Sequence, residues 1–595
     1  MTNLIIVESP GKIKKIKSFL DSSYVVMASV GHIRDLCHTT LSIDVDNNFK
    51  PTYEIINDKK KIIANLRKAI KNADNIYIAA DADREGEAIA YHLIETLKIK
   101  NKYKRIMFNE ITQNAIQTAI TNHTLLDINM FYAQQARRLL DRLVGYKLSP
   151  LLKNIPNIQS KSLGVGRVQS VVLRLIVDNE NLINDFINNE QNNNSLYVIH
   201  GDFIINEIKL DTTFQSKSNS DNQITTKEQI KQIVINIKQN PIFNIEQIEQ
   251  NQRIKNPPPP FITSTLQQEA SYKLHFNIKY TMQIAQKLYE KGLITYMRTD
   301  STTLSNDALS LIKNYISNSE KFNFAIDYQF RQFKSSNANA QEAHEAIRPT
   351  YFNSDISLLS GDELSLYTLI FNRTVATQLK SAIYNDTIIS LINKSAYVFK
   401  GTSSFLSYEG YLKIYNQSTS TINTPNLDNR LKINNINLSS NEVSWTKIIF
   451  KETYKEAPSR YNESSLVKKL EQLGIGRPST YANIISKIQE HKFINIADSD
   501  GITKKICTYT LLYDEFKFDK KTSTQKIAND KSKFIPTNDG NIICKYLIDN
   551  FNFIVDYNFT ANMENQLDLI ANNNKIWYDV LDEFYKQLID CLDKI

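Results

Sequence analysis

Six side chains could do chemistry together. Glu8 closes an apolar run in LIIVESPGK, Asp81, Asp83 and Glu85 follow another in NIYIAADADREGE, and Tyr296 and Arg298 stand two apart in LITYMRTDS. Alternate residues of an extended segment point the same way, so Asp81 and Asp83 can converge on one point. Carboxylate oxygens suit Mg²⁺, which takes only one or two carboxylates and keeps several waters. An isolated DxD reads first as the acidic opening turn of the next helix, where carboxylates meet the helix dipole. Here a strand-end Glu, a strand-end DxDxE and a Gly directly after it make one coherent site. A Tyr in an apolar run is ordinarily packing. Tyr296 differs in having Arg298 and Asp300 beside it in a polar, turn-like context. A phenol with a pKa of about 10 is a poor nucleophile at neutral pH unless cations stabilise the phenolate. Arg298, planar and permanently charged, is a natural phosphate clamp. Lys12 can reach the same phosphate if two domains close together.

The elements around these residues are legible. LIIVES (4–9), YVVMASVGH (24–32), NIYIAA (75–80) and KRIMFNEI (104–111) read as strands. GKIKKIKSFL, residues 59–73 and GEAIAYHLIETL (86–97) read as helices between or after them. Such alternation implies a mainly parallel sheet, whose ligands bind at the carboxyl ends of the strands. That is where Glu8 and Asp81 fall. Residues from about 127 to 185 are helical in pattern. Asn- and Ser-rich stretches (188–196, 214–226) then interrupt strand-like pieces such as YVIHGDFII and FNIEQIEQ. PPPP (257–260) punctuates the chain, because proline continues neither a helix nor a central strand. A helical region follows over 262–384 and contains Tyr296. Strand-like sequence returns near 387–415, and a final helical region is expected from about 461.

Bulk properties bound the reading. At 595 residues with 42% hydrophobic content, several cored domains are expected. The net charge of +8 is a mild basic excess that permits a polyanionic partner without demanding one. No apolar run approaches the roughly 20 residues needed to span a bilayer. MTNLIIVESPGK has no basic leader and does not read as a signal peptide. Cys37, Cys507, Cys544 and Cys591 form no CxxC pair, which argues against a zinc ribbon or a disulfide framework. A reducing interior fits. No GxxxxGK[ST] nucleotide loop is present.

The pairing of Glu8 with DxDxE resembles the TOPRIM domain of topoisomerases, primases and some nucleases. In that domain the Glu is a general acid or base and the DxD carboxylates hold Mg²⁺. The resemblance implies the first role for Glu8 and a metal set of Glu8, Asp81, Asp83 and Glu85. LITYMRTDS selects topoisomerase among the three. ESPGK, DADREGEAIAYHL, FNEIT, QQARRLLDRLVGY, GRVQS, PPPPFITSTLQQEAS, LITYMRTDS, EAHEAIRP, LGIGRPSTYA and FTANMENQLDLIA together resemble, in order, the motif series of the bacterial DNA topoisomerase I (type IA) family. The ESPGK and GIGRPSTYA forms favour it over the decatenating topoisomerase III, the nearest alternative. A TOPRIM nuclease or primase and a non-enzymatic single-strand binder are the others.

The resemblance implies a multidomain α/β plus α fold arranged as a toroid. A TOPRIM domain with a Rossmann-like parallel sheet covers 1–126. A helical base covers 127–185 and 416–595, a β-rich arch 186–257 and 385–415, and a helical domain bearing the tyrosine 258–384. It implies an ATP-independent enzyme with Mg²⁺ as its sole cofactor, relaxing negatively supercoiled DNA through a 5′-phosphotyrosine. Its partner is DNA in single-stranded segments, with no membrane. It acts as a monomer, cytoplasmic and nucleoid-associated. Catalytic roles fall on Tyr296, Glu8, Lys12, Arg298 and His344. His344 is no zinc ligand, since HEAIR lacks the second His of HExxH. DNA contacts fall on His32, Arg34, Arg137, Arg138, Asp141, Tyr146, Lys153, Arg298, Arg477, Ser479 and Thr480, and on Gly164, Val165, Gly166, Arg167, Val168 and Gln169. Read from residues alone, Arg137 and Asp141 could instead form an intrahelical ion pair, GVGRVQ a packing turn, and Pro478 a helix N1 position. Many family members continue past this core into Cys₄ zinc ribbons or basic repeats, whereas this chain ends at Ile595 after WYDVLDEFYKQLIDCLDKI. The chain is thus either naturally minimal or shortened. Cleavage and religation are expected to survive in it, with processive relaxation less secure.

Overall fold

The structure, a computed structural model, describes residues 2–160, 163–189, 194–205, 208–216, 224–334, 345–415, 443–514 and 517–595. The first unit grows from a strand that is apolar on both faces. In β1 (Asn3–Val7) every residue is buried. Ile5 and Val7 face one apolar cluster and Leu4 and Ile6 another, as the two-residue period of a strand requires. It pairs in parallel with β2 (Tyr24–Ala28) on one side and β3 (Asn75–Ala79) on the other, and β3 pairs in parallel with β4 (Tyr103–Arg105). The order is β2-β1-β3-β4. The chain leaves β1 in opposite directions toward β2 and β3, so a crevice opens at their carboxyl ends. Glu8 follows β1 and Asp81 follows β3. Helices α1 (Gly11–Lys17), α2 (Lys60–Lys71), α3 (Arg84–Leu97) and α4 (Gln113–Thr121) complete the unit.

Two long helices follow, α5 (Ile128–Leu148) and α6 (Arg167–Asn188). An eight-stranded antiparallel sheet is built from β5 (Leu196–Ile205), β6 (Ile208–Ser216), β7 (Phe243–Lys255), β8 (Ala382–Asn393), β9 (Tyr397–Tyr408), β10 (Val443–Thr453), β11 (Ile502–Leu512) and β12 (Phe518–Ile527). Its order is β7-β8-β9-β6-β5-β10-β11-β12, and α7 (Lys227–Gln239) buries its apolar stripe on it. The tyrosine-bearing region contributes α8 (Thr263–Leu274), α9 (Ile278–Glu290), α10 (Asn306–Asn318) and α11 (Gly361–Ala376). The last region contributes α12 (Glu463–Gln472), α13 (Tyr481–Glu490), α14 (Asn538–Val555), α15 (Tyr557–Ala571) and α16 (Trp577–Leu592). These five helices share one core with α5 and α6.

Two expectations need correction. The strand expected over 104–111 stops at Arg105, because the chain turns there to bury that arginine beneath the crevice. The stretch 416–595 is not helical throughout. Strand β10 extends the large sheet by pairing with β5, and Ile494–Ser499, β11, β12 and Asp530–Pro536 are also strands. Strand β12 is exposed along nearly its whole length, so FDKKTSTQKI carries no apolar alternation to betray it. The Asn-rich stretches read as surface loops lie largely outside the described residues.

One apolar cluster runs without a break from the sheet's Ile5 and Val7 face through Leu266, Leu288, Tyr289 and Tyr296. The α/β unit and the tyrosine-bearing helices therefore share a core, and glycines let them approach closely. Gly292, at φ +72°, would set a Cβ 2.5 Å from the Ile111 carbonyl oxygen, and a Cβ on Gly11 would strike the Glu290 carboxylate. Within the α/β unit, Gly86 lets α3 press onto the end of β3. A Cβ there would strike the Asp81 carbonyl oxygen. Gly86→Ala is expected to cost roughly 1–3 kcal/mol, the usual range for forced overpacking. The measurement is the melting temperature, and an unchanged value would mean that α3 shifts freely.

Candidate active site

The DADREGE loop is braced from below. Arg105 is fully buried, and its guanidinium donates to the carbonyls of Ala80 (2.8 Å), Asp81 (2.9 Å), Ile106 (2.7 Å) and Ile78 (3.2 Å). Its Nε donates to Glu87 Oε1 at 2.8 Å. A planar fork with five donors is satisfied only by such a fixed set of acceptors, so the loop that carries the acids is held rigidly. Asp83 is the N-cap of α3 and accepts from the Gly86 amide at 2.8 Å. The capping and the chemical readings of DADREGE both apply to this residue.

The tyrosine segment has no regular structure, so side chains satisfy its backbone. Thr263 Oγ1 donates to the carbonyls of Met297 (2.7 Å) and Thr299 (3.0 Å) and accepts from the Thr299 amide (2.9 Å). Thr295 Oγ1 donates to the Ala346 carbonyl (2.7 Å). The Tyr296 amide donates across the joint to the Asn109 carbonyl (2.7 Å). Ser9 Oγ donates to Glu290 Oε1 (2.6 Å), and the buried Arg348 donates to Glu110 Oε2 (3.0 Å). These contacts seat Tyr296, 4% exposed, against the acids of the α/β unit.

Its hydroxyl donates to Asp83 Oδ2 at 2.7 Å, and Arg298 Nη1 lies 3.7 Å from the same oxygen. The buried Lys12 is ion-paired to Asp81 and lies 5.2 Å from the Tyr289 ring centroid. Burial and the charges of Asp83 and Asp81 hold the Tyr296 phenol well above its ordinary pKa, against the opposing pull of Arg298. Burial and Asp81, offset in part by Lys12, raise the Glu8 carboxyl to about 7. The phenol is masked and held protonated, and the Glu8 carboxyl of the same acidic cluster is shifted toward its protonated form.

Glu85 belongs to a neighbouring set. His32 Nε2 hydrogen-bonds its Oε1 (2.6 Å) and Gln134 Nε2 its Oε2 (3.1 Å). Burial opposes ionisation of Glu85, but these bonds outweigh it and hold the carboxyl at about 2. The expected metal set of four acids is therefore not brought to one point. Among the described residues no three Asp, Glu, His or Cys side chains are spaced to ligate one ion. The donor chemistry of Asp81 and Asp83 fits a magnesium ion held by one or two carboxylates and water. It does not fit an all-protein cage.

Beside the acids runs a cleft lined by Asp83, Arg84, Glu85, Gln134, Arg137, Arg298, Thr299, Asp300, Arg477, Pro478, Ser479, Thr480, Asn483 and Asp568. Half of these lining residues were singled out from sequence as catalytic, metal or DNA residues, and the cleft draws on five separate stretches of chain. Other expected DNA residues stand outside it. Arg138 is bidentate to Asp35 (Nε to Oδ1 3.0 Å, Nη2 to Oδ2 2.7 Å), Arg34 stacks on Tyr53, and Tyr146 and Lys153 are exposed. GVGRVQ is a packing turn in this structure. Arg167 is fully buried, 3.0 Å from the fully buried Glu564 and 3.6 Å from Asp141, and Val165 and Val168 lie in the core. Gly164 backs onto His491, and Gly166 caps α6 and backs onto the Gln169 side chain. Arg137 pairs with Glu564 at 3.4 Å, so the intrahelical pair with Asp141 does not form. Thr480, not Pro478, stands at the N-terminus of α13. His344 lies outside the described residues. Arg105, Arg84, Glu564 and Asp568 were missed. Arg84 was visible inside DADREGE, and the i, i+4 spacing of Glu564 and Asp568 was the only sign of the other pair.

Two family models match the chain, one described as Toprim domain over residues 3–111 and one as DNA topoisomerase over residues 126–508. A prokaryotic-type DNA topoisomerase 1 from Acanthamoeba polyphaga mimivirus is 40% identical, covering 100% of this chain and 72% of that protein. DNA topoisomerase 1 of Campylobacter jejuni is 40% identical over 98% of this chain and 78% of its own length. The solved structure of full-length topoisomerase I from Thermotoga maritima superposes with a TM-score of 0.78 at 32% identity, covering 99% of this chain and 90% of that one.

The Glu8 shift has a consequence for stability. From about pH 4.5 to about pH 7 the folded protein keeps a proton on Glu8 that the unfolded chain releases. Stability must therefore fall as pH rises through that window. Glu8→Gln removes this slope. In chelator-containing buffer its melting temperature relative to the wild type should climb from about pH 4.5 to about pH 7 and then level off. A flat difference would show that Glu8 titrates normally.

Proposed function

The chain belongs to the prokaryotic DNA topoisomerase I family, and on that premise we propose that Tyr296 cuts one DNA strand and holds the broken end as a 5′-phosphotyrosine. The enzyme is a type I topoisomerase, an isomerase of DNA. The observation that carries the reading is the hydrogen bond from the Tyr296 hydroxyl to Asp83, which sets the one candidate nucleophile on the acids of a different unit. A phosphodiester seated beside Arg298 takes the phenol oxygen on phosphorus. The phenol proton passes to Asp83, its existing acceptor. The bond from phosphorus to the 3′-oxygen breaks, and Glu8 gives its proton to that oxygen. Religation runs the same exchange backwards. Lys12 and Arg298 stabilise the charge that develops on the phosphoryl oxygens.

Asp81 and Asp83 are the carboxylates that would hold magnesium with water, and Glu8 stands beside them. When bound, the ion would add positive charge to a carboxylate group that Lys12 and Arg298 offset only in part. Because the phosphotyrosine conserves the bond energy, no nucleotide is needed. Negatively supercoiled DNA, which exposes single-stranded segments, is the substrate, and relaxation is the downhill outcome. The protein acts as a monomer on nucleoid DNA in the cytoplasm. Among the described residues no helix is long and apolar enough to cross a membrane. In the closed arrangement the phenol is masked, so entry of a strand must accompany loosening of the joint held by Ser9, Glu110, Glu290 and Arg348.

The test is a denaturant trap with 3′-labelled single-stranded DNA and Mg²⁺. The wild type should carry label into the protein fraction, and Tyr296→Phe should carry none. Label captured by the Phe variant, or a lasting nick with no attached protein, would sink the reading.

A further inference from the structure

Asp568 sits on α15 one turn beyond Glu564, on the stripe that packs toward the cleft. The two acids do different things. Glu564 is fully buried, faces Arg137 and Arg167, and is held at about 2 because those arginines outweigh its burial. It is the fixed counter-charge of an interior ion cluster. Asp568 is 8% exposed and lies in the cleft wall itself. One of its oxygens is paired with Arg84 at the start of α3, and the other accepts from Arg477 Nη2 at 2.8 Å. These arginines come from separate parts of the chain and are bridged by this carboxylate. An arginine fork binds a carboxylate and a phosphate with the same geometry.

From this we infer that Asp568 stands in for a DNA phosphate, holding Arg84 and Arg477 in place while the cleft is empty and yielding them to the backbone of an entering strand. The inference rests on the proposed function and takes this cleft, half of whose lining residues the sequence assigned to catalysis, metal or DNA, as the groove that holds the single strand. Its physical consequence is restraint. The arginines stay ordered without DNA, and part of their charge is already neutralised, so a strand binds less tightly and with less counterion release than the bare cations would allow. Weaker grip suits a groove that must let a strand go after each cycle.

The experiment is fluorescence anisotropy of a labelled single-stranded oligonucleotide with the full chain, in chelator to prevent cleavage, across a salt series. Asp568→Asn should bind roughly tenfold more tightly at low salt, with a salt slope steeper by about 0.7, the value for one added phosphate contact on single strands. Asp568→Glu, which keeps the charge, should retain the wild-type slope. Asp568→Ser is read in the same way as the amide if the amide does not fold. Equal or weaker binding by the neutral variants with an unchanged slope would overturn the inference and leave Asp568 as a residue that positions arginines. Arg477→Ala separates the two levels. If it weakens binding while the neutral variants do not tighten it, only this inference fails. If it too binds as the wild type, the groove reading fails.

Discussion

The hydrogen bond between Tyr296 and Asp83 joins residues 213 positions apart, and the architecture around it follows from what that contact demands. A phenol becomes a nucleophile only near cations and a proton acceptor. Carboxylates crowd together only where something offsets their repulsion. Putting both requirements in one place means supplying the acids from the ends of a parallel sheet and the tyrosine from an irregular segment of another unit. The continuous apolar cluster from Ile5 to Tyr296 and the glycines at 11 and 292 let the two surfaces meet. Ser9, Glu110, Glu290 and Arg348 then fix their register.

The same contact explains why the site is quiet as it stands. Burial and the neighbouring aspartates hold the Tyr296 phenol protonated and shift the Glu8 carboxyl up to about 7. A strand-cutting enzyme that kept a free phenolate in an open groove would cut whenever DNA touched it. On the proposed mechanism the nucleophile would be uncovered by the change that admits a strand. The cleft beside it follows a parallel logic, since Arg84, Arg137 and Arg477 are matched by Glu564 and Asp568. Unpaired buried cations would be costly, and pairing them with side chains keeps the groove folded while empty.

Much of the α/β unit was legible because its signals are local. β1, β3 and α3 lie within a few residues of where apolar runs and helical spacing put them, β2 ends at Ala28 and not at the expected 32, and Glu8 and Asp81 stand at strand ends as expected. The exposed strand β12 was hidden because strand pairing, not side-chain pattern, makes it a strand. Arg167 misled for the opposite reason. A cation in a Gly-rich turn looks like a phosphate ligand until its burial against Glu564 is seen, and Glu564 lies 397 positions away. Arg105 was invisible, because nothing in KRIMFNEI says that its guanidinium will collect the carbonyls under Asp81.

By itself the sequence determined which groups are available: one tyrosine flanked by Arg298, a strand-end Glu, a DxDxE and a set of ordered motifs. Residue type sets intrinsic pKa and ligand preference, and short-range periodicity sets strands and helices, so these are readable without coordinates. Only the tertiary structure decided which groups act together. It separated Glu85 from the other acids by giving it to His32, placed Lys12 on Asp81, buried Arg167, and laid the Tyr296 hydroxyl on Asp83. Each of these is an electrostatic choice between partners far apart in the chain. Distance and burial, which decide such choices, exist only after folding.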